Sequence, residues 1–337
     1  MKRSLIAIIV TVIIVASGVA GYAIFRPQPG LVIYVADAYV GEAGALSSGF
    51  HNATGIRVDQ PIGGGSYTLA REIGQGDPAS VFISVALSTY NISYLKSRYT
   101  GWTVAFASDQ LVLAYSSLSN SSVNNTVRLF NEAYADNSAS AYGQAFEQLT
   151  SGSVKVGISN ASSDPAGLRA YLSLEVAGYL YHNDSTSYFI DRLAHNHSVT
   201  TASNAAELVT PLEEGDIGFL YIYRSAAISK GLHYVTLPDF LNFGNSSLSG
   251  FYARFSYNTT SGIQYGMPIY LYISTVANST DPAAAMSFVT YSVENNSILA
   301  GFGLVPLRVS LLFNSTTPPP QILNLVSQGK ITYAGPI

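Results

Sequence analysis

Residues 31–85, LVIYVADAYVGEAGALSSGFHNATGIRVDQPIGGGSYTLAREIGQGDPASVFISV, alternate between apolar runs and segments with helical spacing. Short apolar runs rich in β-branched residues indicate buried strands, and apolar residues three or four positions apart indicate helices that pack against them. Strands that alternate with helices are typical of an α/β protein built around a parallel sheet. The stretch predicts strands over residues 31–36, 56–60 and 79–85, and helices over residues 41–52 and 67–73.

The remainder of the chain continues this pattern without an internal repeat. A chain of 337 residues exceeds the size at which a single core usually divides, so we expect two lobes. Apolar runs predict strands at 104–107, 110–115, 154–159, 217–223 and 269–274. Helical spacing predicts helices at 127–148, 165–181 and 283–293, and a last short helix after the Pro-rich connector at 316–320.

The composition excludes several classes of protein. Cysteine is absent, which excludes a disulfide scaffold and a thiolate metal site. There are 16 Lys and Arg against 20 Asp and Glu, so no cationic excess is present to neutralise nucleic-acid phosphates. Hydrophobic residues make up 48% and charged residues 11%, and a chain this apolar is expected to fold rather than to remain disordered.

Two loop-to-helix junctions carry most of the chemistry that the sequence offers. Gly63-Gly64-Gly65-Ser66 precedes a predicted helix, whose N-terminus presents free N–H groups that favour an anion, and the serine hydroxyl adds a donor. Asp164-Pro165-Ala166-Gly167 begins a second helix directly after a strand. The simpler interpretations are a glycine-rich helix start and an Asp N-cap followed by proline. Each junction by itself leaves both interpretations open.

The N-terminal segment predicts export. Residues 4–25 form an uncharged, mostly apolar run that follows Lys2 and Arg3. At about 1.5 Å per residue this run is long enough to cross a bilayer. A cleaved signal peptide is the alternative, although its apolar core is usually shorter, about 7–15 residues. Since the positive-inside rule places the bulk of the chain outside, we expect a single-pass membrane anchor within residues 1–29 and an extracellular protein.

Asn-x-Ser/Thr sequons are dense and agree with an exported surface. Twelve of the 19 asparagines begin such a sequon. Together with the low charge and the abundant tyrosine, they fit a glycosylated archaeal surface exposed to acid, where carboxylates lose their charge. The predicted glycosylation sites are Asn52, Asn91, Asn120, Asn124, Asn160, Asn183, Asn196, Asn245, Asn258, Asn278, Asn295 and Asn314.

Other reactive patterns in the sequence are weak. His195-x-His197 provides at most half of a metal site, and Ser93-x-x-Lys96 has the spacing of a serine acylase without its companion motifs. The sequence shows no Gly-x-Ser-x-Gly elbow and no nucleophile–base pair. We therefore expect no metal, no cofactor and no enzymatic activity. Tyr223, at the end of a predicted strand, is the tyrosine that we place near a ligand.

Taken in order, these motifs resemble those of the tungstate- and molybdate-binding type of solute-binding protein in ABC importers. The resemblance covers most of the exported part, and it rests on the order and spacing of the motifs rather than on any one of them. The matching stretches are Tyr34-Val-Ala-Asp-Ala38, Gly65 to Ile73, Ser163 to Arg169, Gly215 to Ala226, Tyr265 to Ile269 and Gly303 to Pro306.

The resemblance implies an α/β, two-lobed fold of the type II periplasmic-binding-protein class, with two interlobe crossings and an oxyanion in the cleft. It implies one lobe from residues 30–110 and 270–337, and a second lobe from residues 111–269. The implied partners are molybdate or tungstate as the ligand, and an ABC permease with its ATPase. The implied ligand-binding residues are Asp37, Ala38, Gly65, Ser66, Asp164, Ala166 and Tyr223, and the two helix starts converge from opposite lobes.

Two positions depart from the family pattern. Archaeal members that surround the metal with six oxygens use two carboxylates, of which Asp164 matches one, whereas Ile222 stands at the other and cannot coordinate. Ala38 replaces a ligand serine and offers only its N–H. These departures favour a hydrogen-bonded tetrahedral oxyanion, for which Asp164 would have to be protonated or bonded to local N–H groups. They leave open another ligand, such as sulfate, phosphate or a small organic anion, and a glycosylated surface protein that kept the fold without transport.

Overall fold

The computed structural model describes residues 30–117 and 119–337. The predicted anchor at residues 4–25 lies outside this range, and no helix within the range is both long enough and apolar enough to span a bilayer. The strands are β1 (Ile33–Ala36), β2 (Ile62–Gly64), β3 (Val81–Ser84), β4 (Trp102–Ser108), β5 (Leu111–Tyr115), β6 (Val156–Gly157), β7 (Val199–Thr200), β8 (Phe219–Tyr223), β9 (Tyr234–Thr236), β10 (Ser256–Thr259), β11 (Gly262–Tyr265), β12 (Tyr270–Thr275), β13 (Val305–Asn314) and β14 (Ile331–Gly335).

The helices connect these strands. Short 3-10 turns at Asp37–Tyr39 and Ala205–Leu208 also matter, because both reach the interface between the lobes described below. The helices are α1 (Val40–Thr54), α2 (Ser66–Gln75), α3 (Ile92–Leu95), α4 (Ser121–Asp136), α5 (Ala139–Leu149), α6 (Pro165–Tyr181), α7 (Tyr188–His195), α8 (Val209–Glu214), α9 (Arg224–Ser229), α10 (Asp239–Asn242), α11 (Ser249–Tyr252), α12 (Pro282–Glu294) and α13 (Pro320–Ser327).

Two mixed sheets organise the described residues. The larger sheet has the strand order β14-β13-β4-β12-β3-β1-β2, and the smaller has the order β7-β6-β8-β5-β9, while β10 and β11 form a separate antiparallel pair. We name the parts built around them the first lobe and the second lobe. β1 pairs in parallel with both β2 and β3, in the manner predicted for residues 31–36. Every residue of β1, β3, β4 and β8 is buried, as expected for central strands covered on both faces.

The chain passes between the two sheets twice. Asp109 and Gln110 connect β4 with β5, and residues 266–269 connect β11 with β12. The two crossings lie side by side, because the Asp109 N–H donates to the Ile269 carbonyl oxygen at 3.1 Å. Both lobes meet next to this pair of crossings. The lobe boundaries given from the sequence, after residues 110 and 269, stay a prediction.

Two predicted elements differ from the observed ones, and several short or late strands were not predicted, namely β7, β9, β10, β11 and β13. No strand forms at 56–60, where only Val58 makes an isolated bridge to Leu31; the strand at the sheet edge is β2. A Cβ on Gly63 of β2 would lie 2.6 Å from the Val40 side chain, so β2 can pack this close to α1 only because residue 63 is glycine. The single helix predicted at 127–148 is divided into α4 and α5, because Asn137 adopts a left-handed φ of 46°. The C-terminal strand β14 was not predicted.

Gly167 lies in the first turn of α6, where this helix passes the end of β6. A Cβ at this position would overlap the Ser159 carbonyl oxygen and lie 2.9 Å from the Ser159 Oγ. Backbone atoms cannot rotate away as a flexible side chain can. The glycine is therefore needed to seat the helix that Asp164 caps.

We expect Gly167→Ala to lower the free energy of unfolding by about 1–3 kcal/mol, because it overpacks this contact. The matched control is Gly44→Ala within α1, where a Cβ meets no atom within 4 Å. The control should raise the free energy of unfolding by about 0.5–1 kcal/mol, since alanine favours helix more than glycine does. Urea unfolding of both variants measures the difference, and equal shifts would contradict the close approach of α6 to β6.

Candidate ligand site

A small closed cavity lies where the two lobes meet. The first lobe contributes the residues that follow β1 and β3, and the second lobe contributes the start of α6, the turn at 205–208, the end of β8 and α9. The cavity volume is about 10 Å³, which is about the space that one water molecule needs, so a larger solute could enter only if the lobes separate. The lining residues are Ala36, Asp37, Ala38, Val85, Asp164, Ala166, Ala205, Ala206, Ile222, Tyr223, Ala226 and Lys230.

The predicted site residues divide into two groups in the structure. The first group lines the cavity, whereas Gly65 and Ser66 lie outside its lining, at the adjoining lobe interface. Ile222, the residue that departs from the family pattern, also faces the cavity and is buried. The predicted residues that line the cavity are Asp37, Ala38, Asp164, Ala166 and Tyr223.

Gly65 brings the first helix start against the second. A Cβ on Gly65 would lie 2.5 Å from the Ser163 carbonyl oxygen, so a larger residue would push the lobes apart. Ser66, which begins α2, is fully buried. Its Oγ has no hydrogen-bond partner in residues 30–117 and 119–337. The two helix starts therefore meet across the lobe interface and enclose an unsatisfied hydroxyl.

Arginine side chains join the lobes on either side of this contact. Arg169 of α6 is 3% exposed, and its Nη2 donates to the Val85 carbonyl oxygen of the first lobe at 2.9 Å. Arg71 of α2 donates in the opposite direction, to the Ser162 carbonyl oxygen at 3.2 Å. The Arg169 Nε has no partner within the described part of the chain. Both arginines thus hold the closed arrangement, and one retains an unused donor.

Asp164 is both a helix cap and a cavity residue. Its Oδ1 accepts from the Ala166 N–H at 3.1 Å, which is the predicted N-cap bond, and its Oδ2 accepts from the Ala205 N–H at 2.8 Å. Burial raises the pKa of Asp164 above its ordinary value, although these N–H groups and Arg169 oppose the rise. Each carboxylate oxygen therefore already has a donor from its own lobe.

Asp37 approaches Asp164 from the opposite lobe. Burial raises the pKa of Asp37 from 3.8 to about 7, and the negative charge of Asp164 adds to the rise. The amides of Ala38 and Ala206 and the ammonium group of Lys230 act in the other direction. The Oδ2 of Asp37 is buried without a partner in the described residues. Closure therefore places two carboxyl groups in one dry space, where both cannot ionise cheaply.

Asp109, at the first crossing, forms hydrogen bonds with residues of both lobes. Its Oδ2 accepts from the Tyr39 hydroxyl at 2.8 Å and from the Ser225 hydroxyl at 2.5 Å, and its Oδ1 accepts from the Gln110 N–H at 2.7 Å. Burial raises the pKa of Asp109, and these hydrogen bonds oppose the rise. Tyr39 follows the Asp37 turn and Ser225 follows Tyr223. One carboxyl group thus positions the two walls of the cavity.

Neither the 205–208 turn nor Lys230 was predicted from the sequence as part of the site. Asn204-Ala-Ala-Glu207 has the spacing of a capping box, and the Asn204 side chain does accept from the Glu207 N–H at 3.1 Å. That signal could have identified the turn, although not its contact with Asp164. Lys230 offered no such signal, because an isolated lysine after a helix is normally solvated.

The weaker sequence motifs lie away from the cavity between the lobes, and Ser93 and Lys96 line a separate surface pocket beside Arg71. His195 and His197 are exposed at the end of α7, away from the cavity lining. No cluster of three or more His, Asp or Glu side chains with the arrangement of a metal site occurs in the described residues. The two cavity carboxyl groups therefore lack the additional protein ligands that a bound cation would require.

We expect the protein to lose stability as the pH rises from about 4 to about 7. Asp37 and the buried Glu42 have a pKa of about 7 in the folded protein, against ordinary values of 3.8 and 4.5. Between these values the folded state binds more protons than the unfolded chain does, so the free energy of unfolding falls with increasing pH.

The melting temperature at several pH values measures this effect. The double variant Asp37→Asn/Glu42→Gln should lose much of the pH dependence. The control Asp59→Asn, which removes an exposed ion pair with Arg57, should keep it, because exposed pairs contribute little. A melting temperature that rises over this range in the unmodified protein would contradict the assignment.

Comparison with known proteins agrees with this architecture. The family described as bacterial extracellular solute-binding protein matches residues 31–304. An uncharacterized solute-binding protein from Sulfurisphaera tokodaii is 39% identical over 318 residues, which cover 90% of this chain and 83% of that protein.

Two solved structures share the fold at low sequence identity. The periplasmic molybdate-binding protein of Azotobacter vinelandii has a TM-score of 0.58 and 17% identity, and the match covers 82% of this chain and 98% of that chain. The sulfate-binding protein of Mycobacterium tuberculosis has a TM-score of 0.53 and 15% identity, and the match covers 91% of this chain and 92% of that chain. From the match over residues 31–304 and the similarity to its relatives, this chain belongs to the bacterial extracellular solute-binding protein family.

Proposed function

We propose that this protein captures a small tetrahedral oxyanion between its lobes and delivers it to an ABC permease with its ATPase. Molybdate and tungstate are our first candidates for the ligand. Binding would involve hinge closure about the two crossings, with the lobes meeting as they do around Gly65 and Ser163.

The observation that carries this proposal is the set of buried polar atoms left without partners where the lobes meet. They are the Ser66 Oγ, the Arg169 Nε and the Asp37 Oδ2, each without a hydrogen bond to any described residue. Buried polar atoms in proteins nearly always have a partner, so three such atoms at one interface support a missing solute. Two of the three are hydrogen-bond donors, which favours a ligand rich in acceptor oxygens.

The surroundings favour hydrogen bonding over coordination. Ile222 and several alanines line the cavity and offer no metal ligand, so we propose that the anion remains tetrahedral. In such a dry site, N–H and O–H dipoles act strongly and can replace positive charges. The raised pKa of Asp37 helps, because a protonated carboxyl group donates to an anion instead of repelling it.

Sulfate or phosphate is the second candidate for the ligand. The specific observation in its favour is Ile222, which removes the second carboxylate expected for an expanded molybdate or tungstate shell. The structural likeness to the sulfate-binding protein of Mycobacterium tuberculosis is compatible with this choice, although a likeness at this identity concerns the fold.

Several sequence predictions remain part of the proposal. We retain the membrane anchor at residues 4–25, the extracellular location of the bulk of the chain, and lobes of residues 30–110 with 270–337 and of residues 111–269. Nine of the twelve sequon asparagines are exposed, and the other three, Asn245, Asn295 and Asn314, are half-buried. Most of these asparagines are therefore accessible enough for a glycan to be attached.

We expect one of the tetrahedral oxyanions to raise the melting temperature, because a ligand that binds only the folded state stabilises it by mass action. The panel is molybdate, tungstate, sulfate and phosphate, with a neutral sugar as the control, measured in acidic and in neutral buffer. Stabilisation by the sugar alone would point to another class of solute. No response to any of the four oxyanions in either buffer would overturn the proposed function.

We expect Ser66→Ala to weaken binding of the responding oxyanion by about 1–3 kcal/mol, because a donor to a charged ligand is lost. The matched control is Ser173→Ala in α6. Ser173 is also fully buried with an unpartnered Oγ in the described region, but it lies beside Tyr221 of its own lobe and not next to the contact between Gly65 and Ser163. Calorimetric titration should show a loss of affinity for the first variant alone. Equal affinities of the two variants for the oxyanion would show that Ser66 does not bind the ligand.

A further inference from the structure

The carboxyl group of Asp37 is the polar group of the cavity whose hydrogen bonding is least complete. Asp164 already accepts at both oxygens, and the Tyr223 hydroxyl accepts from the Arg169 Nη1 at 3.4 Å. The Asp37 Oδ2 is buried and has no partner in the residues that the structure describes. A solute in the cavity would therefore complete the hydrogen bonding of Asp37 first.

We propose that Asp37 determines which oxyanions the site accepts, by sharing a single proton with one ligand oxygen. This inference rests on the proposed function, since it assumes that the solute presents an oxygen to the cavity. Two bare oxygen atoms in contact repel each other, whereas one proton between them makes a charge-assisted hydrogen bond. The proton can reside on Asp37 before binding, or it can arrive on the ligand.

The charged groups near Asp37 make this proton available in acid. Its pKa is raised to about 7, first by burial and then by Asp164, while Lys230 opposes the rise. Arg169 acts on Asp164 rather than on Asp37. The remaining charged groups on the elements packed against the Asp37 turn are Glu42 of α1, Glu207 of the 205–208 turn and Arg224 of α9.

These remaining groups are not among the main causes of the pKa rise of Asp37. Glu207 accepts from the hydroxyl of Ser203 and the side-chain amide of Asn204, which occupies its carboxylate. The pKa of Glu42 responds to Asp109. Neither of these glutamates, nor Arg224, is among the causes that shift the pKa of Asp37. The protonation of Asp37 is thus tied first to its burial and then to Asp164, its partner across the cleft.

Two classes of oxyanion should consequently behave differently with pH. Sulfate, molybdate and tungstate carry no proton near neutral pH, so they need a protonated Asp37, and each binding event above its pKa takes one proton from solvent. Phosphate retains a hydroxyl group and can donate it to an ionised Asp37. The site would accept the first class in acid and would favour the second class in alkaline solution.

The test is calorimetric titration of the whole protein with molybdate, sulfate and phosphate at about pH 5, 7 and 8.5. For molybdate and sulfate we expect the affinity to fall about tenfold per pH unit above pH 7, and for phosphate to fall much less. Asp37→Asn should make molybdate binding independent of pH, because its side-chain N–H donates at every pH. Asp59→Asn, in the exposed pair with Arg57, is the matched control and should behave as the unmodified protein.

A second measurement does not depend on any variant. Titration of the unmodified protein in two buffers with different ionisation heats counts the protons taken up, and we expect about one per molybdate at the alkaline pH and about none per phosphate. Equal pH slopes in Asp37→Asn and in the unmodified protein, or no proton uptake, would overturn this inference while leaving oxyanion binding intact. Absence of binding by all of these anions at every pH would overturn the proposed function and this inference together.

Discussion

The carboxyl group of Asp109 holds together the parts of the molecule that enclose the cavity. It lies buried at the first crossing and accepts hydrogen bonds from Tyr39 of the first lobe and Ser225 of the second. A carboxyl group so far from water is tolerated only when its oxygens are satisfied, so the network is as necessary to Asp109 as to the lobes. Tyr39 comes directly after the lining residue Ala38, and Ser225 comes two residues after the lining residue Tyr223. The Asp109 carboxyl group, which binds both, therefore sets the distance between the two walls of the cavity. The wider contacts made by Arg71 and Arg169 then close the interface on both sides.

Buried carboxyl groups connect the unusual composition with the proposed function. Charged residues make up only 11% of the chain, yet near the lobe interface Glu42, Asp109 and Asp164 are buried and Asp37 is half-buried, each with a raised pKa. At neutral pH such groups oppose folding and repel an anion, whereas in acid they are neutral and can donate hydrogen bonds. The same physical feature thus connects the predicted acid stability with the proposed capture of an anion between the lobes. An acidic exterior, which the sparse surface charge predicted, is where these effects would act in the same direction.

Local sequence signals predicted most of the long helices and missed the short helices and the edges of the sheets. The bounds of α6 were predicted because Asp164 and Pro165 define a helix start through contacts with near neighbours. The strand predicted at 56–60 was wrong, since edge strand β2 forms around glycines that carry no strand propensity but admit a close approach to Val40. The break between α4 and α5 was missed because Asn137 is an ordinary helix residue by spacing and leaves the helix only through its left-handed conformation. Strand β14 depends on pairing with β13, and nothing in its own residues requires it.

The sequence by itself determined the α/β alternation, the two glycine- and aspartate-marked helix starts and the resemblance to a family to which the chain belongs. Each of these depends on residues close together in the chain, whose caps, turns and apolar spacing act through short-range contacts. Only the tertiary structure decided that Asp37 faces Asp164, that Ser66 lies beside the cavity instead of lining it, and that Lys230 reaches its edge. These contacts form because the loops at the end of one sheet pack against the loops at the end of the other. The residues involved are far apart in the sequence, so no local sequence pattern can predict that they meet.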